Sequence, residues 1–191
     1  MDLLKRTHEI FEESIELKQR VIASDLPHKL LEIADIIVES IRNGGKIFFC
    51  GNGGSAADAQ HLAAELLIRL RSHVNRDSIP ALTLATDTST ITACANDYSF
   101  EEIFSRPLSG LGAKGDIVIG ITTSGKSPNI IKAFEVARQK GIITVGLLGG
   151  ANHGEPALQS CDYAFVVPSA DTGRVQEVHI TAGHALMEAV E

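Results

Sequence analysis

Apolar residues change their spacing along this chain near residue 43. Before it they recur about every three to four positions among charged side chains, which is typical of amphipathic helices. This pattern predicts two helices, over 3–23 and from Pro27 to Arg42. Asn43-Gly44-Gly45 then matches a helix C-terminus, since glycine tolerates the backbone that ends a helix. The N-terminal region 1–43 is therefore expected to be helical.

Beyond this region, short and continuous apolar runs alternate with helical patterns. Continuous apolar strands indicate burial on both faces, as in a parallel sheet. The predicted strands are 46–50, 81–85, 116–121, 143–148 and 162–167, and the predicted helices are 56–70, 88–95, 128–139 and 174–190. The alternation predicts an α/β fold with a doubly wound parallel sheet of about five strands, and 1–191 is expected to form a single domain. Ligands of such sheets bind at the carboxyl ends of the strands.

A glycine-rich turn, Gly51-Asn52-Gly53-Gly54-Ser55, joins the first predicted strand to the helix 56–70. Such a turn leaves backbone N–H groups at the positive end of the helix dipole, where anions bind. Farther along the helix, His61 and Glu65 are one turn apart and share a face. An anion site with an imidazole and a carboxylate behind it predicts chemistry on a phosphorylated small molecule.

A second polar loop, Thr122-Thr123-Ser124-Gly125-Lys126-Ser127-Pro128, follows the third predicted strand. Its hydroxyls can donate to phosphate oxygens, although Ser127 alone could simply cap the next helix. Residues 120–127 also match the nucleotide-binding pattern GxxxxGKS. However, Gly120 lies inside the predicted strand and Pro128 follows directly, so nucleotide hydrolysis is disfavoured. Two hydroxyl- and glycine-rich loops at strand ends favour phosphate binding.

The last predicted helix contains His184 among small and apolar neighbours, so this histidine is expected to be buried with polar partners. Helical spacing alone places Glu177 and Glu188, rather than Gln176, on its face.

The net charge of −7 argues against nucleic-acid binding, because few cations are left to neutralise a phosphate backbone. Cys50, Cys94 and Cys161 are scattered without a metal-binding or disulfide spacing and are expected to be free thiols. We see neither a signal peptide nor a membrane-spanning run. A cytoplasmic protein without a membrane partner is expected.

The segments GNGGSAADAQH, Asn96-Asp97, TTSGKSPN and RVQEVHITAGH resemble the phosphoheptose isomerases, a family of the sugar isomerase (SIS) domain superfamily. The resemblance covers nearly the whole chain and implies the SIS fold. It also implies one zinc ion per subunit. The implied zinc ligands are His61, Glu65, Gln176 and His184. Two imidazoles, a carboxylate and an amide oxygen are reasonable ligands for zinc.

The same resemblance implies which residues bind the substrate. The implied phosphate ligands are Ser55, Thr122, Thr123, Ser124 and Ser127, and the implied sugar ligands are Asn52, Gly53, Gly54, Glu65, Asn96, Asp97 and Gln176. Asp58 has two open interpretations, an acid favourable to the helix dipole or a group that orients a ligand.

The implied activity converts sedoheptulose 7-phosphate to D-glycero-D-manno-heptose 7-phosphate through an enediol, with Glu65 as base and His184 moving protons between oxygens. This would be the first step towards ADP- or GDP-heptose for lipopolysaccharide or other surface glycans. The alternatives are an isomerase for another sugar phosphate, and a non-catalytic SIS protein that binds the bacterial replication initiator. The simultaneous presence of all four implied metal ligands favours the enzyme.

The two N-terminal helices leave apolar stripes that a sheet with its own crossover helices does not need. The resemblance implies that they pack on neighbouring subunits of a homotetramer, with the sites at subunit interfaces. His184 could then meet His61 of a neighbouring chain.

Overall fold

The computed structural model describes residues 2–84, 87–150 and 156–191. The N-terminal region forms two helices, as expected. They are α1 (Leu3–Ile22) and α2 (Leu26–Arg42). The elements that follow are β1 (Ile47–Gly51), α3 (Gly54–Leu67), β2 (Ala81–Thr83), α4 (Thr88–Asp97), α5 (Ser105–Leu111), β3 (Ile117–Thr122), α6 (Pro128–Lys140), β4 (Ile143–Gly149), α7 (Pro156–Ser160), β5 (Tyr163–Val167) and α8 (Thr172–Val190), with a short 3-10 helix at Phe100–Glu102.

The five strands form one sheet in the order β2-β1-β3-β4-β5, and every pair is parallel. The predicted doubly wound α/β fold is therefore confirmed. Position 85, the last of the second predicted strand, lies outside the described residues. Each strand sends alternate side chains to opposite faces. In β1, Ile47 and Phe49 join a first core, which lies under α1, α2, α3 and α8. Phe48 and Cys50 join a second core, which lies under α4 to α7.

Two short helices were not expected. The helix α5 contains Pro107 and Gly110, which are poor helix formers, so its sequence pattern is weak. Burial of Leu108 against the second core holds it in place. The five-residue helix α7 buries Ala157 alone and is too short to show a helical period.

The helix α3 ends at Leu67, three residues earlier than expected. The side chain of Arg76 donates hydrogen bonds to the backbone oxygens of Glu65 and Leu66, at 2.8 Å each. The backbone N–H of Ile79 also donates to Leu66. These long-range bonds satisfy carbonyls at the helix end, where the helix itself leaves them without partners.

Within the described residues, no helix combines the length and apolar composition needed to cross a membrane.

A histidine lies inside the first core. His179 of α8 is fully buried, and its ring nitrogens have no hydrogen bond of good geometry among the described residues. Burial lowers the pKa of His179 to about 4, although the backbone of Leu148 opposes part of this effect. The folded protein therefore keeps the imidazole neutral at pH values where an unfolded chain would protonate it.

We expect this histidine to make the protein less stable in acid. Between the unfolded pKa near 6.5 and the folded pKa of about 4, the unfolded state binds more protons, so the free energy of unfolding falls as the pH falls. The loss should reach about 3 kcal/mol near pH 4. Chemical unfolding at a series of pH values should show a weaker acid dependence for His179→Gln. The matched control is His73→Gln at an exposed position. Parallel pH curves for the wild type and His179→Gln would contradict this account.

Candidate functional site

The turn after β1 leads directly into α3. Gly53 has a φ of +56°, a left-handed conformation that glycine adopts without strain. At Gly54 an added Cβ atom would lie 2.2 Å from Nε2 of Gln176, so a larger residue there would displace the end of the Gln176 side chain. Gly53 is the N-cap residue of α3 and has no side chain that could make a capping hydrogen bond. The turn therefore brings bare backbone close to α8 and leaves the positive end of α3 available to an anion.

The loop after β3 gathers hydroxyl groups at the start of α6. The Thr122 hydroxyl is buried and lies 2.9 Å from the hydroxyl of Ser127 and 3.5 Å from that of Ser124. Although Ser127 occupies the N-cap position of α6, its side chain does not make the capping hydrogen bond. The simple capping interpretation of Ser127 is therefore not supported, and the hydroxyl cluster is consistent with phosphate binding.

Gly120 lies in the middle of β3 rather than in the loop. A Cβ atom there would lie 2.6 Å from the Phe134 ring. This glycine allows α6 to pack closely on the sheet. The match of residues 120–127 to the nucleotide-binding pattern therefore does not correspond to a nucleotide-binding loop.

The two loops are neighbours because β1 and β3 are paired, with Gly51 opposite Ile121. The chain leaves β1 towards one face of the sheet and β3 towards the other, and such a point opens a crevice for a ligand. The side chains of Asn52 and Asn129 join the loops by two reciprocal hydrogen bonds of 2.9 and 2.8 Å. No pattern in the sequence predicts this role for Asn129, and only its place in the TTSGKSPN segment marks it.

Three potential metal ligands meet beside this crevice. Nε2 of His61 lies 3.2 Å from Oε1 of Glu65 and 2.8 Å from Nε2 of His184. The imidazole rings meet edge to face, with centroids 5.0 Å apart. One ligand atom from each residue lies within 4.8 Å of the others, which suits a single metal ion. All three residues belong to one chain, with His61 and Glu65 on α3 and His184 on α8. His184 is only partly buried, whereas its apolar neighbours in the sequence predicted full burial.

Gln176 lies against Gly54 and interacts with Asp58, whose carboxyl also feels the charges of His61 and His184. Asp58 is buried, and its Oδ2 has no hydrogen-bond partner among the described residues. Burial raises the pKa of the Asp58 carboxyl, while the Gln176 amide and the two histidines oppose that shift. The environment of Asp58 is thus that of a group facing Gln176 rather than that of an exposed acid at a helix end.

The glutamates that helical spacing placed near His184 have other partners. Glu177 accepts a hydrogen bond from Arg174 at 2.6 Å, and Glu188 pairs with Arg71 at 3.2 Å. Spacing within one helix was therefore misleading here, because the neighbours of His184 come from α3.

Asn96 and Asp97 end α4, and both are exposed. The Asn96 amide donates to the Asp97 carboxylate at 2.8 Å, rather than to either loop. Within the part of the chain that the structure describes, no hydrogen bond connects this pair to the histidine group.

Comparison with known proteins gives matches along nearly the whole chain. A family described as the SIS domain matches residues 10–149. The phosphoheptose isomerase of Chlorobaculum parvum is 50% identical over 179 residues, which cover 93% of this chain and 84% of that protein. The phosphoheptose isomerase of Thermodesulfovibrio yellowstonii is 45% identical over 191 residues, covering 100% of this chain and 92% of that protein.

A solved structure shows the same similarity in three dimensions. The structure of a phosphoheptose isomerase from Francisella tularensis superimposes with a TM-score of 0.91 at 35% sequence identity. The match covers 100% of this chain and 98% of that one, so it includes the start of α1 and the whole of α8, which lie outside the SIS match.

Proposed function

Because this chain belongs to the phosphoheptose isomerase family of SIS-domain proteins and is a heptose phosphate isomerase, we propose that its substrate is sedoheptulose 7-phosphate. The proposed product is D-glycero-D-manno-heptose 7-phosphate. The observation that supports this best is the meeting of His61, Glu65 and His184 beside two phosphate-type loops.

The phosphate of the sugar would lie between the two loops. The hydroxyls of Ser55, Thr122, Thr123, Ser124 and Ser127 would donate to its oxygens. The backbone of Asn52, Gly53 and Gly54 would bind the sugar. Neutral donors and helix N-termini suffice for an anion, so the acidic net charge of the chain is no obstacle. Holding the phosphate end fixes the distance from the loops to the reacting carbons.

Glu65 is the proposed base. In the open-chain ketose, its carboxylate would take a proton from C1, the C1–C2 double bond would form, and the C2 carbonyl oxygen would gain a proton. His184 would carry that proton from the hydroxyl on C1 to the oxygen on C2. Return of the proton from Glu65 to C2 and collapse of the enediol give the aldehyde at C1. Asn96 and Asp97 are proposed to bind the sugar hydroxyls.

The residues fit a metal ion, since two imidazole nitrogens and a carboxylate oxygen converge and the Gln176 amide is adjacent. We propose that His61, Glu65, Gln176 and His184 hold one zinc ion per subunit. Bound zinc would act as a Lewis acid on the sugar oxygens. Asp58 is proposed to hold the Gln176 amide in position. Since Glu65 would be both ligand and base, one of its oxygens must be free during proton transfer.

The test is proton NMR of the purified, zinc-loaded protein with sedoheptulose 7-phosphate in D2O. We expect signals of an aldoheptose 7-phosphate with deuterium at C2, because the proton on the base exchanges with solvent. No turnover would overturn the proposed substrate. Turnover of a different sugar phosphate under the same conditions would reassign it within the sugar phosphate isomerases.

We further propose a homotetramer of single-domain subunits in which region 1–43 packs on neighbouring chains. One side of α1 is buried through Leu17 and Val21, but a second side carries exposed apolar residues. These are Leu3, Leu4, Phe11, Ile15 and Ile22, exposed by 56 to 74%. An apolar groove of about 240 Å³ opens between α1, α2 and α8. Surfaces of this kind are typical of subunit interfaces.

Charged residues on this stripe should dissociate the assembly. We expect Phe11→Glu with Ile15→Glu to give a smaller species by analytical ultracentrifugation, because buried carboxylates would lie in an apolar interface. Glu12→Gln, also exposed on α1, is the matched control. An unchanged sedimentation coefficient for the double variant would show that α1 does not form the interface.

This reaction would be the first step towards ADP- or GDP-heptose for lipopolysaccharide or other surface glycans. We place this reaction in the cytoplasm, where free thiols such as those of Cys50, Cys94 and Cys161 stay reduced.

A further inference from the structure

The pair formed by Asn52 and Asn129 closes a ring of two hydrogen bonds. The amide of each side chain donates to the carbonyl oxygen of the other, at 2.9 and 2.8 Å. Asn129 is 2% exposed, so its carboxamide has little access to water. A buried amide needs such partners, and this arrangement satisfies both carboxamides without adding charge.

The two hydrogen bonds between Asn52 and Asn129 lie at the point where the two loops separate. Asn52 is the first residue after β1, and Asn129 is the second residue of α6. Backbone hydrogen bonds hold β1 against β3 only as far as Gly51 and Ile121. Beyond that point the two loops diverge to opposite faces of the sheet, and the asparagine pair connects them directly across 77 residues of sequence.

Each partner is rigidly attached to one half of the proposed phosphate site. The backbone oxygen of Asn52 accepts a hydrogen bond from the N–H of Ser55 at 3.0 Å. Asn129 follows Ser127 and Pro128 in the first turn of α6, where Ser127 contacts the Thr122 hydroxyl. A change in the asparagine pair would therefore alter the distance between the Ser55 turn and the Thr122 loop.

We propose that Asn129 is a positioning residue that acts through Asn52 to hold the two loops at the separation that binds one phosphate group. This role rests on the proposed function only in taking phosphate as the ligand of the loops. Because both asparagine side chains are neutral, the pair would affect phosphate binding through the separation of the loops and not through charge. Loss of the pair should weaken phosphate binding, because a site 1 Å too wide loses much of its complementarity.

The experiment is titration calorimetry of the full-length protein with inorganic phosphate. Asn129→Ala and Asn52→Ala should each weaken binding about tenfold, because the two loops would no longer be held at the separation that suits one phosphate group. The double variant should bind no more weakly than either single variant, because both changes break the same contact. Asn52 is less buried than Asn129 and has a negative φ, so its variant tests the pair even where Asn129→Ala folds poorly.

Thr144→Val is the matched control. Thr144 is equally buried and exchanges hydrogen bonds of 2.7 and 2.8 Å with Asp162, but at the opposite end of the sheet. We expect a lower melting temperature and an unchanged dissociation constant for phosphate. Additive effects of Asn52→Ala and Asn129→Ala, or unchanged phosphate binding by both, would overturn the proposal. So would a wild type that does not bind phosphate. Binding without isomerisation of sedoheptulose 7-phosphate would overturn the proposed function alone.

Discussion

Replacing Glu65 by glutamine is expected to lower kcat by about 1,000-fold or more, the scale of a lost general base. Glutamine keeps the shape of the side chain, which is largely buried on α3 beside His61. However, its amide cannot accept the proton from C1 of the sugar. The measurement is the initial rate with sedoheptulose 7-phosphate, together with wash-in of deuterium from D2O at C1. Both rates should fall together.

The metal content of Glu65→Gln separates the two roles proposed for this residue. A variant that retains zinc but loses exchange has lost the base, whereas loss of zinc as well shows that the carboxylate is also a required ligand. Glu135→Gln, exposed on α6, controls for the loss of one negative charge. A kcat within about tenfold of the wild type would contradict the assignment of Glu65 as base.

The second large effect is expected for His184→Ala. This change removes an imidazole whose Nε2 atom lies 2.8 Å from Nε2 of His61. The proposed zinc site thereby loses one of its nitrogen ligands. We expect zinc to fall from about one ion per subunit to a trace after dialysis, with loss of turnover. Atomic emission measures the zinc content independently of activity.

His73→Ala, at an exposed position after α3, is the matched control and should retain zinc. Titration with a coloured chelator adds an affinity scale, on which His184→Ala should release zinc at far lower chelator concentration. Retention of zinc by His184→Ala, with the wild-type affinity, would remove this histidine from the ligand set.

The features that the sequence predicts correctly are those set by local patterns. The strands around Phe48 and Ile119 are continuous apolar runs, because both of their faces are covered. His61 and Glu65 lie on one helix, so their spacing alone brings them together. The two loops follow strands that pair, and parallel strands bring their carboxyl ends to the same edge.

The features that local patterns did not predict depend on contacts between segments that are far apart in the sequence. Helical spacing pointed from His184 to Glu177 and Glu188, whereas the structure brings it to His61 and places Gln176 against Gly54. The resemblance, not the spacing, had singled out Gln176. The early end of α3 depends on Arg76, which reaches back to its last carbonyls. Such contacts leave no periodic signal along the chain.

The separation of His61 and His184 in the sequence determines the order in which parts of the site are synthesised. His61 and His184 are 123 residues apart, and all five strands precede His184. A nascent chain on the ribosome therefore displays the five strands and both proposed phosphate loops before it contains all of the proposed zinc ligands. A chain interrupted anywhere before α8 lacks Gln176 and His184, so truncated translation products would contain only two of the four proposed zinc ligands.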